Sequence, residues 1–180
     1  MRTATLVLLA YALLVVVGSA WRFLLTPVAQ AVPDIAALTA GFLGLTARRD
    51  VGAALAGSIV LGYLRDVVGG APPGFFALVL ALTCLTARGV QQVLYVRGPA
   101  MTIAFSVFVA VVSSVVSRLV RSAFDIPGAE LVLELRDIVF AVGATAVAGP
   151  FVWRLFRRVD AAFARTHRDR DAALDGVSPR

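Results

Sequence analysis

Long uncharged apolar runs alternate with short clusters of charged residues along this chain of 180 residues. The runs are continuous and do not alternate in polarity, which is typical of helices in lipid and not of barrel strands. A helix needs about 20 apolar residues to cross a bilayer. The pattern therefore predicts one compact all-α transmembrane bundle over residues 1–158, followed by a polar cytoplasmic tail over 159–180. The six predicted helices cover residues 3–25, 33–47, 51–64, 73–87, 99–117 and 138–156.

Three segments leave alternatives open. The first apolar run resembles a signal peptide, but it continues as far as Leu25, which favours a retained anchor. The predicted helices 33–47 and 51–64 are short and rich in small residues, so they could instead form half-helices or one re-entrant unit. Residues 118–137 carry many charges, which predicts a solvated amphipathic loop or a partner contact, with Arg residues compensating the repulsion between Glu130 and Glu134.

Composition supports a membrane environment. Hydrophobic residues make up 59% of the chain and charged residues 16%, with mean hydropathy +0.88. Soluble domains average about 45–50% apolar and about 25% charged residues. The net charge of +6 would suggest nucleic acid as a partner of a soluble protein, but here the Arg residues lie at the ends of the predicted helices. We therefore expect membrane lipid as a partner and no nucleic acid.

The distribution of Arg predicts the orientation. Six spans place both termini on one side of the membrane. If that side is the cytoplasm, only Arg22, Arg65, Arg118, Arg121 and Arg136 lie outside, and the other 12 of the 17 basic residues lie inside. The positive-inside rule favours this arrangement, so both termini are predicted to be cytoplasmic.

Catalytic patterns are missing from the sequence. The chain has one Cys, Cys84, and one His, His167, far apart in sequence, which provide neither a metal cluster nor a nucleophile pair. It contains no GxSxG, HExxH or P-loop segment. We therefore expect no catalytic residue, no metal and no cofactor, and a protein that is not an enzyme.

Small residues recur at a spacing of four in several predicted helices. Such spacing lets helix backbones approach closely in lipid, either within the bundle or against a partner's helix. The candidate packing or partner residues are Ala36, Ala40, Gly44, Ala53, Ser106, Ala110 and Ser114.

Two acidic residues stand at predicted helix ends. Asp34 follows Pro33, and both residue types are favourable at a helix N-terminus, which indicates local capping. Asp66 precedes a turn rich in Gly and Pro. A carboxylate there is a candidate functional group. The favoured interpretation is an interface residue that pairs with Arg65, remains solvated, or holds the following turn.

Residues 31–87 resemble the core of the MreD family of bacterial rod-shape-determining membrane proteins. The shared pattern is a Pro and a polar residue before helix two, a Gly-rich helix that ends in Gly-x-x-x-Asp, and a Gly-containing turn. The last helix also fits, with a Pro followed by an apolar stretch and basic residues. The residues that carry the resemblance are Pro33, Asp34, Gly57, Gly62, Asp66, Gly70, Gly74 and Pro150. Arg65 and the segment Pro72-Pro73-Gly74 depart from the family pattern.

The resemblance implies a non-enzymatic subunit of the cell-wall elongation (rod) complex in the bacterial cytoplasmic membrane. Such a protein binds MreC, which links it to the MreB filament and to RodA and its penicillin-binding-protein partner, and helps to control cell shape and peptidoglycan synthesis. A homo-oligomer is compatible with this role. Two alternatives remain. The chain could be the substrate-binding membrane subunit of an energy-coupling-factor vitamin transporter, a similar six-helix architecture that needs a lined cavity, or a generic membrane assembly factor.

Overall fold

The computed structural model describes residues 2–24, 32–46, 51–91, 98–125 and 131–175. Over these residues the chain is all-α, which confirms the predicted fold class. The helices are α1 (Arg2–Leu24), α2 (Ile35–Thr46), α3 (Val51–Gly69), α4 (Phe75–Gln91), α5 (Pro99–Ala123) and α6 (Leu131–Asp175). Leu25 of the first predicted helix, Glu130, and residues 176–180 of the predicted tail lie outside the described residues.

Helix length and hydropathy identify a multi-pass membrane protein. Within the described residues, Val51–Gly69, Ala100–Ala123 and Leu133–Phe163 are long and apolar enough to cross a bilayer. Shorter apolar helices cover Thr3–Val17, Ile35–Thr46 and Phe75–Val90. The 19 residues of α3 suit a full span, whereas the 12 residues of α2 extend only about 18 Å.

The helices run further through charged positions than the sequence indicates. The prediction ended the third helix at residue 64, but α3 continues through Arg65 and Asp66 because both side chains have partners at that end of the bundle. The predicted loop 118–137 consists largely of the end of α5 and the start of α6.

Ion pairs connect α5 and α6 in this charged segment. Glu134 of α6 lies 3.8 Å from Arg118 and 4.0 Å from Arg121 of α5. The opposite charges offset each other across the two helices, and within this segment residues 118–123 and 131–137 are helical. The last helix, predicted to end at residue 156, continues through Pro150 to Asp175.

Helix α2 occupies the centre of the bundle. Every residue from Ile35 to Gly44 is buried, and among the described residues α2 contacts each of the other five helices. Around it lie α1, α3, α4, α5 and α6 in a ring, in which the contact between α1 and α6 is the least extensive. A helix that is apolar on all sides is expected in such a buried position. Its shortness is tolerated because other helices, and not lipid, surround it.

Small residues determine how closely the helices approach. A Cβ on Gly62 of α3 would come within 2.5 Å of the backbone N of Ala77 in α4. A Cβ on Gly57 would stand 2.7 Å from Thr3 of α1, and one on Gly44 of α2 would stand 3.1 Å from Ala87 of α4. These contacts are the close backbone approaches that small residues permit in membranes.

The core and the lipid-facing surface are clearly separated. In the core, the centroid of the Phe42 ring lies 4.9 Å from that of Trp153 and 5.3 Å from that of Phe156. Large apolar side chains such as Leu8, Val60 and Phe151 are exposed on the surrounding helices. An exposed apolar surface of this extent requires lipid as its solvent.

Candidate functional site

Asp34 joins three elements at one end of the bundle. Its carboxylate Oδ1 accepts a hydrogen bond from the backbone N of Ala37 at 3.1 Å, which caps α2 as predicted. Oδ1 also accepts from Nη1 of Arg65 in α3 at 2.6 Å, and Oδ2 accepts from Oγ of Ser113 in α5 at 3.2 Å. The capping interpretation is therefore right but incomplete, because the same carboxylate also holds α3 and α5 against α2.

Thr145 extends this connection to α6. The backbone N–H of Asp34 donates to Oγ1 of Thr145 at 2.9 Å, and Thr145 Oγ1 donates in turn to the Ala141 carbonyl at 2.6 Å. Thr145 is fully buried. Asp34 thereby links four helices through one side chain and one backbone amide. Such a satisfied polar group is expected in a membrane interior, where unpaired polar atoms are costly.

Arg65 is held between a carboxylate and an aromatic ring. Its guanidinium carbon lies 4.0 Å from the centroid of Phe76, an arrangement that permits a cation–π interaction. Arg65 does not pair with the adjacent Asp66, as one sequence interpretation allowed, but with Asp34 on another helix. The side chains of Arg65 and Asp34 are 25% and 21% exposed, so the ion pair is largely shielded from solvent.

Asp66 holds the turn between α3 and α4. Its side chain is buried, and its carboxylate accepts hydrogen bonds from the backbone N of Gly74 and of Phe76, both at 2.9 Å. Its carbonyl accepts from Ala71 N at 3.2 Å. Of the interpretations left open for Asp66, the structure supports the one in which the carboxylate secures the following turn.

Two glycines in this turn have positive φ angles. Gly70 has φ +65° and Gly74 has φ +92°, and a Cβ at either position would meet nothing within 4 Å. Backbone conformation, and not crowding, therefore requires glycine at these positions. Together with the hydrogen bonds of Asp66 and the close helix approach at Gly62, these two glycines fix the conformation of the α3–α4 hairpin.

The candidate packing residues divide into buried and exposed sets. Ala36, Ala40, Gly44, Ser106 and Ala110 are buried within the chain's own bundle. Ser114 is half-buried and donates to the Ala110 carbonyl, whereas Ala53 is exposed on α3. Within this set, Ala53 is the member best placed to meet another helix.

A cleft of about 640 Å³ lies beside the Asp34–Arg65 pair. Helix α1 contributes Leu14, Val15 and Val17 to its walls. The other described lining residues are 32–35, Arg65, Val68, Gly69 and Phe76. Val15 and Val68 are exposed, so the rim of the cleft is apolar. The cleft combines mostly apolar walls with one fixed pair of charges, which is a common composition of ligand sites.

The sequence did not predict this group of residues as a unit. The sequence indicates a local capping role for Asp34 and offers Asp66, not Asp34, as the partner of Arg65. A signal was nevertheless present, because the start of helix two and the end of helix three lie on the same side in the predicted topology. Ser113 and Thr145 carried no comparable signal, since many Ser and Thr residues bond only to their own helix, as Thr39 bonds to Ile35.

Comparisons with protein-family models, with curated proteins and with solved structures found no match to this chain.

Proposed function

We propose that this chain is a non-enzymatic subunit of a bacterial cell-wall elongation complex that binds MreC in the cytoplasmic membrane and helps to control cell shape and peptidoglycan synthesis. The proposal rests on the resemblance to the MreD family. The observation that supports it is the α3–α4 hairpin, in which Gly62, Asp66 and Gly74 interact as one unit. Residues of the shared pattern are thus the ones that determine the shape of this end of the bundle.

The bonding of the two carboxylates supports a non-catalytic role. Asp34 and Asp66 both accept hydrogen bonds from backbone N–H groups at or just before the start of a helix, α2 for Asp34 and α4 for Asp66. A carboxylate occupied in this way stabilises the fold. The protein would then act by presenting a rigid surface to partner helices.

We assign the surface that contacts a partner's helix to α3. Gly52 and Ala53 are exposed, and a Cβ on Gly52 would meet nothing within 4 Å. A partner helix could approach this segment closely. By contrast, Gly57 on the same helix is already occupied by contacts with α1.

Co-purification tests the proposal. The tagged chain and MreC from the same bacterium are co-expressed, and the MreC retained per tagged chain is measured. We expect the wild type to retain MreC, and Gly52→Leu and Ala53→Leu to retain several-fold less. Gly143→Leu is the matched control, since Gly143 is exposed with open space on α6. Failure of the wild type to retain expressed MreC would contradict the proposed function, whereas equal retention by all variants would contradict only the α3 face.

The cleft favours a second candidate function. A substrate-binding subunit of a vitamin transporter needs a lined cavity, and the cleft between α1, α2 and α3 provides one with Asp34 and Arg65 in its walls. A thermal-shift assay with a panel of vitamins tests this candidate. Stabilisation by one vitamin would support it, and no shift with any of them would count against it.

A further inference from the structure

We infer that the cleft beside Arg65 is a binding site for a single phospholipid, with the phosphate of the headgroup on the Arg65 guanidinium and an acyl chain along the apolar wall from α1. This inference concerns a ligand, and it is independent of whether the chain binds MreC. It follows from two properties of the cleft: the donors that Arg65 retains and the chemistry of the walls.

Arg65 retains unused hydrogen-bond donors. An Arg guanidinium carries five N–H groups, and within the described residues Arg65 bonds to Asp34 alone, through Nη1. That bond and the Phe76 ring at 4.0 Å hold the guanidinium in one orientation. A fixed planar guanidinium suits the oxygens of a phosphate, which can accept two parallel hydrogen bonds from it.

Asp34 does not compete with such a ligand for hydrogen-bond donors from Arg65. Its Oδ1 already accepts from Ala37 N and from Arg65 Nη1, and its Oδ2 accepts from Ser113 Oγ. The carboxylate therefore positions Arg65 and has little remaining capacity to accept further bonds. A phosphate would take the donors of Arg65 that Asp34 leaves unused.

The walls favour a lipid over a water-soluble ligand. Leu14, Val15 and Val17 of α1 and Val68 of α3 line the cleft with aliphatic side chains. Val15 and Val68 are 41% and 53% exposed, so in a membrane the rim is in contact with hydrocarbon. A lipid can enter such a cleft laterally, and each buried CH₂ of its chain contributes favourably to binding.

Titration of the full chain in detergent, followed by native mass spectrometry, tests the inference. The probes are phosphatidylglycerol, diacylglycerol with the same acyl chains, and glycerol 3-phosphate. We expect one phosphatidylglycerol to bind at least tenfold more tightly than either of the other two, since a hydrogen bond to a charged group contributes roughly this much. Equal binding of diacylglycerol would refute a role for the phosphate. Equal binding of glycerol 3-phosphate would show that the ligand is a free phosphate and not a lipid.

Two variants and two controls locate the site. Arg65→Gln and Val68→Trp are each expected to weaken phosphatidylglycerol binding about tenfold, the first by removing the charge and the second by filling the rim of the cleft. Arg118→Gln, at an exposed Arg of α5, and Val67→Trp, at an exposed Val outside the cleft, are expected to bind as the wild type does. If Val68→Trp bound phosphatidylglycerol with wild-type affinity, the inference would be overturned. Because Val68→Trp keeps the Asp34–Arg65 pair, this test holds even if Arg65→Gln does not fold.

Discussion

Arg65, near the end of α3, donates a 2.6 Å hydrogen bond to the carboxylate of Asp34, just before α2. The two residues are 31 positions apart and form an ion pair that is largely shielded from solvent. Because Asp34 also bonds to α5 and α6 residues, the pair lies at the point where the central helix is joined to three of its neighbours.

Replacing either member of this pair is expected to destabilise the bundle. Asp34→Asn keeps a capping oxygen but leaves the Arg65 charge without a partner, which should cost about 3 kcal/mol of unfolding free energy. Arg65→Gln should cost a similar amount, and the double variant less than the sum of the two. Unfolding in mixed micelles with increasing sodium dodecyl sulfate measures these values. Additive effects would show that the pair makes no energetic contribution of its own.

The turn after α3 depends on the Asp66 carboxylate. Asp66→Ala leaves the backbone N–H groups of Gly74 and Phe76 without their acceptor, which should cost about 2–4 kcal/mol. Asp66→Asn retains one acceptor oxygen and should cost less. The same micelle unfolding assay orders the two variants. A larger loss of unfolding free energy in Asp66→Asn than in Asp66→Ala would contradict the hydrogen bonds described for Asp66.

Gly62 permits the close approach of α3 and α4. Gly62→Ala would place a methyl group against the backbone of Phe76 and Ala77, and backbone atoms cannot move aside without shifting the helix. We expect a loss of about 2–3 kcal/mol. Gly52→Ala, on the same helix with open space around it, is the control and should be neutral or stabilising by up to about 1 kcal/mol. Equal stability of the two variants would refute the close contact.

Gly74 is required for its backbone conformation. At φ +92°, Gly74→Ala should cost about 1–2 kcal/mol although the added methyl group meets no atom. Gly69→Ala, in the last turn of α3 and equally uncrowded, should cost nothing measurable. Thermal unfolding of the detergent-solubilised variants distinguishes them, and equal midpoints would show that this φ imposes no strain.

Cysteine labelling tests the predicted orientation. Native Cys84 is buried and should not react in the folded protein, so introduced cysteines can be read against a low background. Pro73→Cys, in the exposed α3–α4 turn, should react with an impermeant maleimide added outside the cell. Gly89→Cys, at the opposite end of α4, should react only after the membrane is permeabilised. The reverse pattern would invert the topology.

The sequence predicted the elements better than the contacts between them. Hydropathy located six helices, because each long apolar run must form one in lipid. Their ends were less predictable, since Arg65, Asp66 and Glu134 look like termini until their partners on other helices are known. The Asp34–Arg65 pair depends on helices meeting in space, and the bonds of Ser113 and Thr145 to Asp34 depend on which of many similar hydroxyl groups faces it.

The central position of α2 has a consequence for biogenesis. Four of the five helices that enclose α2 follow it in the chain and are therefore synthesised after it. Until those helices are inserted, Asp34 lacks its hydrogen-bond partners on α3, α5 and α6. The nascent chain must therefore hold α2 beside α1 or within the insertion machinery. The ring closes only when α6 is in place, because α6 contacts both α1 and α5. The contact between α1 and α6, which is the least extensive in the ring, is therefore the place where the bundle closes.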